Sequence, residues 1–394
     1  MNPLTEDFFK YQAQTTPSPL AMEISHAEGS YVYDVHQKKY LDFVAGVSAC
    51  SLGHRPPSVV SAVKEQLDKY WHVMVYGEFV QQPAVELTKL LAKHLPESLS
   101  CTYLTNSGTE AIEGAMKLAK RATGKSQFIA AKNAYHGSTQ GAMSIMGFEE
   151  RKSAYRPLLP GIEYIGFNND EDLLKIGAKT AAVVLETIQG GAGFIIPKNG
   201  YLRKVKKRCE EVGASLILDE IQPGMGRTGK LFAFETFGIV PDILVMGKGL
   251  GGGFPIGAFS TSPALMKLIQ TDPILGHITT FGGHPVIASA ALATLQQITG
   301  GRLMKETLQK EQLFRQLLVH DRIQEIRGMG LMLALILPDA ETANQLVLRC
   351  LDKGLILFWL LFEKKAVRIT PPLTLSEKEI REGCNILLSV LDEL

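Results

Sequence analysis

Residues 215–220 read SLILDE and residues 242–247 read DILVMG, two short, almost continuously apolar runs that each end at polar or glycine residues. A strand that alternates apolar and polar residues has one wet face. A run that is apolar throughout belongs to a strand covered on both faces, as in a parallel sheet wrapped by helices. Two further runs, FIAA (128–131) and AAVVLE (181–186), have the same character. Between them lie helical patterns. Residues 109–123 place Ile112, Ala115, Met116 and Ala119 on one side and stop at Gly124, and Tyr201–Val212 sets Leu202, Val205 and Cys209 against a basic face and stops at Gly213. Strands alternating with helices predict an α/β fold with a mainly parallel sheet.

Working outward, this block covers residues 55–285 as a large domain. Residues 1–54 carry the hairpin-like YVYDVHQKKYLDF (31–43), and residues 286–394 begin with a long helical run, IASAALATLQQITG, followed by a second helix, more strands and a final helix. The expectation is a smaller α+β domain built from both chain ends. The run LILFWLLF (355–362) reads as a buried strand of that domain, with Phe358 or Trp359 as alternatives for lining an apolar substrate pocket. At eight residues it falls far below the roughly 20 that span a bilayer.

Composition narrows the function. Of 394 residues 45% are hydrophobic and 21% charged, and 41 basic residues against 40 acidic leave a net charge of +1. A nucleic-acid or polybasic membrane binder would concentrate positive charge, so neither is expected. Five scattered cysteines without a CxxC pair fit a reducing compartment. The opening MNPLTEDFFKYQAQ is acidic where an export signal is basic, so a cytoplasmic location is expected. No metal-ligand spacing stands out.

Two glycine motifs mislead. Gly224–Lys230 fits GxxxxGK, but Leu231 follows where a P-loop needs a hydroxyl for magnesium; a P-loop nucleotide-binding protein is the remote alternative. Gly247–Gly252 fits GxGxxG, but Pro255 stands where a dinucleotide-binding helix should run.

Three segments make sense together. Thr105–Glu110 joins a strand to a helix with small hydroxyl residues, Ser107, Gly108 and Thr109 among them, which suits either an anion at the helix N-terminus or an ordinary cap. Asp219 ends an apolar strand where α/β sheets bind ligands, with Gln222 close behind. Lys248 ends another, flanked by glycines and followed by an uncharged stretch, so desolvation would lower its pKa and make it a nucleophile toward an aldehyde. Anion cradle, carboxylate and lysine together match what pyridoxal 5'-phosphate needs.

The chain resembles the class III aminotransferases of PLP-dependent transferase fold type I over nearly its whole length, in the acetylornithine, ornithine and 4-aminobutyrate branch. The likeness lies in NSGTEAIEGAMKLAK (106–120), NAYHGST (133–139), LETIQGGAG (185–193), LDEIQPGMGRTG (218–229), GKGLGGGFPIGA (247–258), TTFGGHP (279–285) and VRITPP (367–372). It implies a ping-pong transaminase moving an amine from an amino acid to an oxo acid such as 2-oxoglutarate or pyruvate. An aminomutase, racemase or decarboxylase on the same scaffold is the alternative.

By the same resemblance Ser107, Gly108 and Thr109 would hold the phosphate, Tyr135 would stack on the ring, Asp219 would pair with the ring nitrogen and Gln222 would contact the ring hydroxyl. Lys248 would hold the cofactor covalently and then act as acid–base. Glu186 would be an acid close by. Thr280 would reach the phosphate of the neighbouring subunit, implying a homodimer with shared sites, and Thr279 beside it, like Ser138, would lie near substrate. Arg368 would bind a substrate carboxylate.

Two departures matter. Ser138 stands where the branch usually has a carboxylate-binding arginine, and Gly191 where it usually has a glutamate that covers the site arginine. With no glutamate at 191, either both substrates carry a carboxylate near the reacting carbon or another acid, Glu78 or Glu363, neutralises Arg368. His284 replaces the usual asparagine of FGGNP.

Overall fold

The four apolar runs form neighbouring strands at the centre of the molecule. A computed structural model describes residues 3–394. Its main sheet has seven strands in the order Cys101–Thr105, Gly257–Thr261, Ile243–Gly247, Ser215–Asp219, Thr180–Glu186, Gln127–Ala131 and Ile162–Ile165. From Ile243–Gly247 to Ile162–Ile165 every pairing is parallel; only Gly257–Thr261 runs antiparallel to both its neighbours. Every residue of Thr180–Glu186, Ser215–Asp219 and Ile243–Gly247 is buried.

The period-2 pleat sorts these side chains into two cores. Ile217 and Val245 pack with Ala111, Ile112, Ala115 and Ala119 of the Gly108–Thr123 helix. Leu216, Leu218, Leu244 and Met246 pack on the opposite face with Leu202, Val205 and Cys209 of Tyr201–Val212. That second core also takes Ala288, Ala291 and Leu295 from helix Pro285–Gly300, which lies against helices Pro57–Leu67 and Gln82–His94. The helix that opens the expected C-terminal segment therefore packs with the large sheet, because its alanine-rich surface fits closely between two neighbouring helices.

The chain ends meet in a separate core containing Leu41, Phe43, Leu333, Leu346, Ile369 and Leu387. The expected hairpin is present, Tyr31–Asp34 pairing antiparallel with Lys39–Asp42. A second small sheet joins Glu325–Met329, Met332–Ile336, Ala366–Ile369 and Phe358–Trp359. The run 355–362 is not one strand. Leu355–Ile356 pairs with Lys39–Asp42, and after the buried Leu357 the two residues Phe358–Trp359 pair with Ala366–Ile369 in the other sheet. Continuous hydrophobicity marked burial there but could not show that the burial is shared between two sheets.

Neither glycine motif opens the helix its nucleotide reading requires. Gly224–Lys230 is a chain of turns whose Arg227 is fully buried and donates to the carbonyls of Leu331 and Pro371, clasping the smaller domain. Lys248–Gly251 is a single 3-10 turn leading to the antiparallel strand. Among the described residues no helix is long and apolar enough to cross a membrane.

Candidate active site

The C-terminal ends of three parallel strands deliver Glu186, Asp219 and Lys248 to one cavity of about 510 Å³. Helix Gly108–Thr123 presents its N-terminus there through Gly108 and Thr109. Ser107 caps the helix by accepting from Glu110 N at 3.3 Å, while Glu110 Oε2 accepts from Asn106 N at 2.7 Å. The first N–H groups of a helix have no partner within it, so Gly108 and Thr109 offer donors at its positive end. The segment from Tyr135 to Thr139 crosses directly over this point. Gly137 has φ +129°, and a Cβ there would lie 2.2 Å from Thr109 Oγ1. Only glycine allows this close crossing. Thr109 Oγ1 and Thr139 Oγ1 lie 2.7 Å apart, and Thr139 Oγ1 donates to Glu113 Oε1 at 2.6 Å.

Asp219 is held from two sides. Its Oδ1 accepts from Ile221 N at 3.0 Å and its Oδ2 lies 2.8 Å from His136 Nδ1. Burial opposes a charge on His136, but the hydrogen bond and charge of Asp219 outweigh it and raise the imidazole pKa. His136 Nε2 is buried with no hydrogen-bond partner. Glu186 accepts from Gly190 N at 2.8 Å and Tyr135 N at 3.2 Å, and burial pushes its pKa up to about 7.

Lys248 has φ +41°, a left-handed conformation that is strained for a residue with a Cβ. Its Nζ makes no hydrogen bond or ion pair among the described residues. Burial lowers its pKa, with the charges of Asp219 and Glu186 opposing and that of Arg368 adding to the fall. A desolvated, unpaired amine is a nucleophile for a carbonyl carbon.

Tyr135 lines the cavity and its hydroxyl lies 3.1 Å from Ser138 Oγ. Gln222 also lines it and donates to Ser48 Oγ at 3.3 Å. Arg368, on strand Ala366–Ile369, is 7% exposed; its Nε donates to Trp359 O at 3.3 Å and one terminal nitrogen has no partner. Burial alone lowers its pKa, to about 10.

Within its own chain neither acid considered for Arg368 pairs with it. Glu363 lies 3.9 Å from Arg327, and Glu78 lines a different groove of about 620 Å³ together with Thr279. Thr279 and the exposed Thr280 are likewise outside the cavity of their own chain. Phe358 does reach the cavity wall, joined by Leu361, while Trp359 is not part of that wall. His136 escaped the sequence reading although it sits inside NAYHGST. Its partner is 83 positions away, and spacing carries no sign of that pairing.

A helix-end cradle for a phosphate, an acid at a strand end held by a buried histidine, and a free amine fit pyridoxal phosphate, and the cavity is large enough to hold it. The fold and the site together define a pyridoxal-phosphate-dependent enzyme. The chain belongs to the class III aminotransferase family, whose model, described as aminotransferase class-III, matches residues 11–391. It is 37% identical over 379 residues to the acetylornithine aminotransferase of Caldanaerobacter subterraneus subsp. tengcongensis, covering 93% of this chain and 94% of that one. It is 35% identical to the acetylornithine aminotransferase of Archaeoglobus fulgidus, with the same coverage of 93% and 94%. Among solved structures, the ornithine aminotransferase of Toxoplasma gondii, with pyridoxal phosphate partly occupying its active site, superposes with a TM-score of 0.90 at 29% identity, covering 99% of this chain and 95% of that one. A thermostable omega transaminase from Pseudomonas jessenii gives a TM-score of 0.92 at 27% identity, covering 100% and 98%. The cofactor is therefore pyridoxal phosphate and the activity is amino-group transfer.

Proposed function

We propose that this chain runs a ping-pong transamination in which an amino acid gives its amine to the cofactor and an oxo acid, such as 2-oxoglutarate or pyruvate, then takes it. The donors to try first are acetylornithine, ornithine and 4-aminobutyrate, the first two because they name the relatives' activities. The observation that carries the reading is the unpaired, partly buried amine of Lys248 in one cavity with Asp219 and Arg368.

The residues divide the work. Ser107, Gly108 and Thr109 would hold the phosphate at the helix end, with Thr280 of a second copy completing the cradle in a homodimer. Tyr135 would stack on the ring and Gln222 would meet its hydroxyl. Asp219, oriented by His136, would hold a proton on the ring nitrogen. Bound there, the cofactor supplies an electron sink for the carbon that carries the amine. Lys248 would hold the cofactor and, once released, move the substrate's proton at Nζ; its lowered pKa favours the neutral form this needs. Arg368 would fix the substrate carboxylate and so orient that carbon. Glu186 would lie behind the ring, and Ser138, with Thr279 of the second copy, would border the substrate. We place the enzyme in the cytoplasm.

Single-turnover absorbance tests the reading. Protein loaded with pyridoxal phosphate is mixed with a panel of donors, and the aldehyde band should convert to the amine form. Lys248→Ala should slow conversion by at least about a thousandfold. No conversion with any donor would refute transamination.

A further inference from the structure

We propose that Arg227 is a positioning residue: its guanidinium fixes the strand that carries Arg368 relative to Lys248, and so sets how tightly the site takes a substrate carboxylate. The inference rests on the carboxylate role that the transamination reading gives Arg368, and it adds the residue that holds Arg368 in place.

Arg368 and Lys248 belong to different parts of the fold. Lys248 follows strand Ile243–Gly247 of the seven-stranded sheet, whereas Arg368 lies on Ala366–Ile369 of a four-stranded sheet. The hydrogen bond from the Arg368 side chain to Trp359 O stays inside that smaller sheet. The placement of Arg368 against Lys248 therefore depends on how the two sheets are docked. Arg227 sits at the dock, in the turns that follow strand Ser215–Asp219 and Gln222 of the cavity wall. Those turns also touch the turn at Lys248, because a Cβ on Gly249 would lie 3.1 Å from Met225 Cβ.

From there Arg227 reaches both flanks of the Arg368 strand. Its Nη1 donates to Leu331 O at 3.1 Å and to Pro371 O, and its own carbonyl accepts from Leu331 N at 2.9 Å. Leu331 leads into strand Met332–Ile336, whose Ala334 lies opposite Arg368, and Pro371 follows strand Ala366–Ile369 directly after Thr370. The two segments approach so closely that a Cβ on Gly330, at φ +61°, would lie 2.4 Å from Arg227 O. Arg227 is 1% exposed, and among the described residues its Nε and Nη2 have no hydrogen-bond partner. A guanidinium buried in this way is a poor source of stability. What it supplies is direction, since one charged donor shared by two carbonyls holds both at a single point. Burial lowers its pKa to about 9, which leaves it charged near pH 7. A displacement on the order of 1 Å in a group that positions substrate is enough to cost a large factor in its function.

The test follows 4-methylpentanoate, an unreactive carboxylic acid, binding to the cofactor-loaded enzyme by thermal shift. Arg227→Met keeps similar volume but has no donor, and should weaken this binding by at least about tenfold. Its affinity for pyridoxal phosphate, read by absorbance titration, should stay within about threefold of the parent's. A residue that only held the fold together would lower both affinities alike. Arg227→Lys keeps the charge but can serve only one of the two carbonyls, and should weaken carboxylate binding by at least about threefold. Carboxylate binding unchanged in the folded variants, or cofactor affinity lost in parallel with it, would overturn the proposal. Should the methionine variant not fold, the lysine variant decides on the same two measurements. Arg368→Met keeps the two readings apart. Binding that survives Arg368→Met, or a parent that does not bind the acid, would overturn the carboxylate role of Arg368 and this inference with it. Binding lost in Arg368→Met but kept in the Arg227 variants would overturn this inference alone.

Discussion

Replacing Arg368 with methionine should make the cofactor-free protein more stable while removing its carboxylate site. The side chain is nearly fully buried, has one long hydrogen bond to Trp359 O at 3.3 Å and, among the described residues, leaves a terminal nitrogen unpartnered and meets no acid. Burial lowers its pKa to about 10 from the ordinary guanidinium value. At about 1.4 kcal/mol for each tenfold in the proton equilibrium, the charged form is disfavoured by roughly 3 kcal/mol. Losing the bond to Trp359 O returns roughly 1–1.5 kcal/mol of that. Methionine fills similar volume without a polar atom, so the net gain should be about 1–2 kcal/mol. In a chain of this size that is a rise in unfolding temperature of roughly 1–2 °C. Thermal unfolding of the two cofactor-free proteins measures it, and 4-methylpentanoate binding by the loaded proteins checks that the site is gone. A fall of more than about 2 °C in the variant would refute the reasoning, because it would mean that Arg368 is paired by an acid, supplied for instance by a second copy of the chain.

Gly137→Ala should disrupt the phosphate cradle. At φ +129° and 2.2 Å from Thr109 Oγ1 the new Cβ must push the crossing segment off the helix end, at a cost of roughly 2–4 kcal/mol. Absorbance titration with pyridoxal phosphate should show at least a tenfold loss of affinity, and unchanged affinity would count against the cradle. Glu186 should make stability depend on pH. Its folded pKa of about 7 lies above the unfolded carboxylate value, so the folded chain keeps a proton that the unfolded chain has released. The stability contributed by this group is fully present below about pH 4 and is lost as pH rises through about 7, by up to roughly 3 kcal/mol. Glu186→Gln stays neutral, so its unfolding temperature should change less with pH over that window; curves parallel to the parent's would show that Glu186 is not the titrating group.

Local chemistry made much of this protein legible in its sequence. Runs such as SLILDE and AAVVLE announced buried strands, Gly124 and Gly213 marked helix ends, and Asp219 and Lys248 stood at strand ends where an open α/β sheet binds ligands. Those features depend on a residue and its near neighbours in the chain, which is why a one-dimensional reading finds them. Family likeness added a role for each of these residues and identified the two departures, Ser138 and Gly191.

Packing between distant segments decided the rest. His136 meets Asp219 across 83 positions, and Phe362, which follows the change of sheets at Leu357, donates its N–H to Gly191 O at 2.9 Å. The solitude of Arg368 is a property of everything folded around it; Glu363 is close in sequence yet lies with Arg327. Hydrophobic pattern, capping and turn chemistry specify which elements form, because they are governed by neighbours along the chain. Which side chains finally touch is governed by the three-dimensional packing of those elements, and in this protein that packing decides which groups line the site.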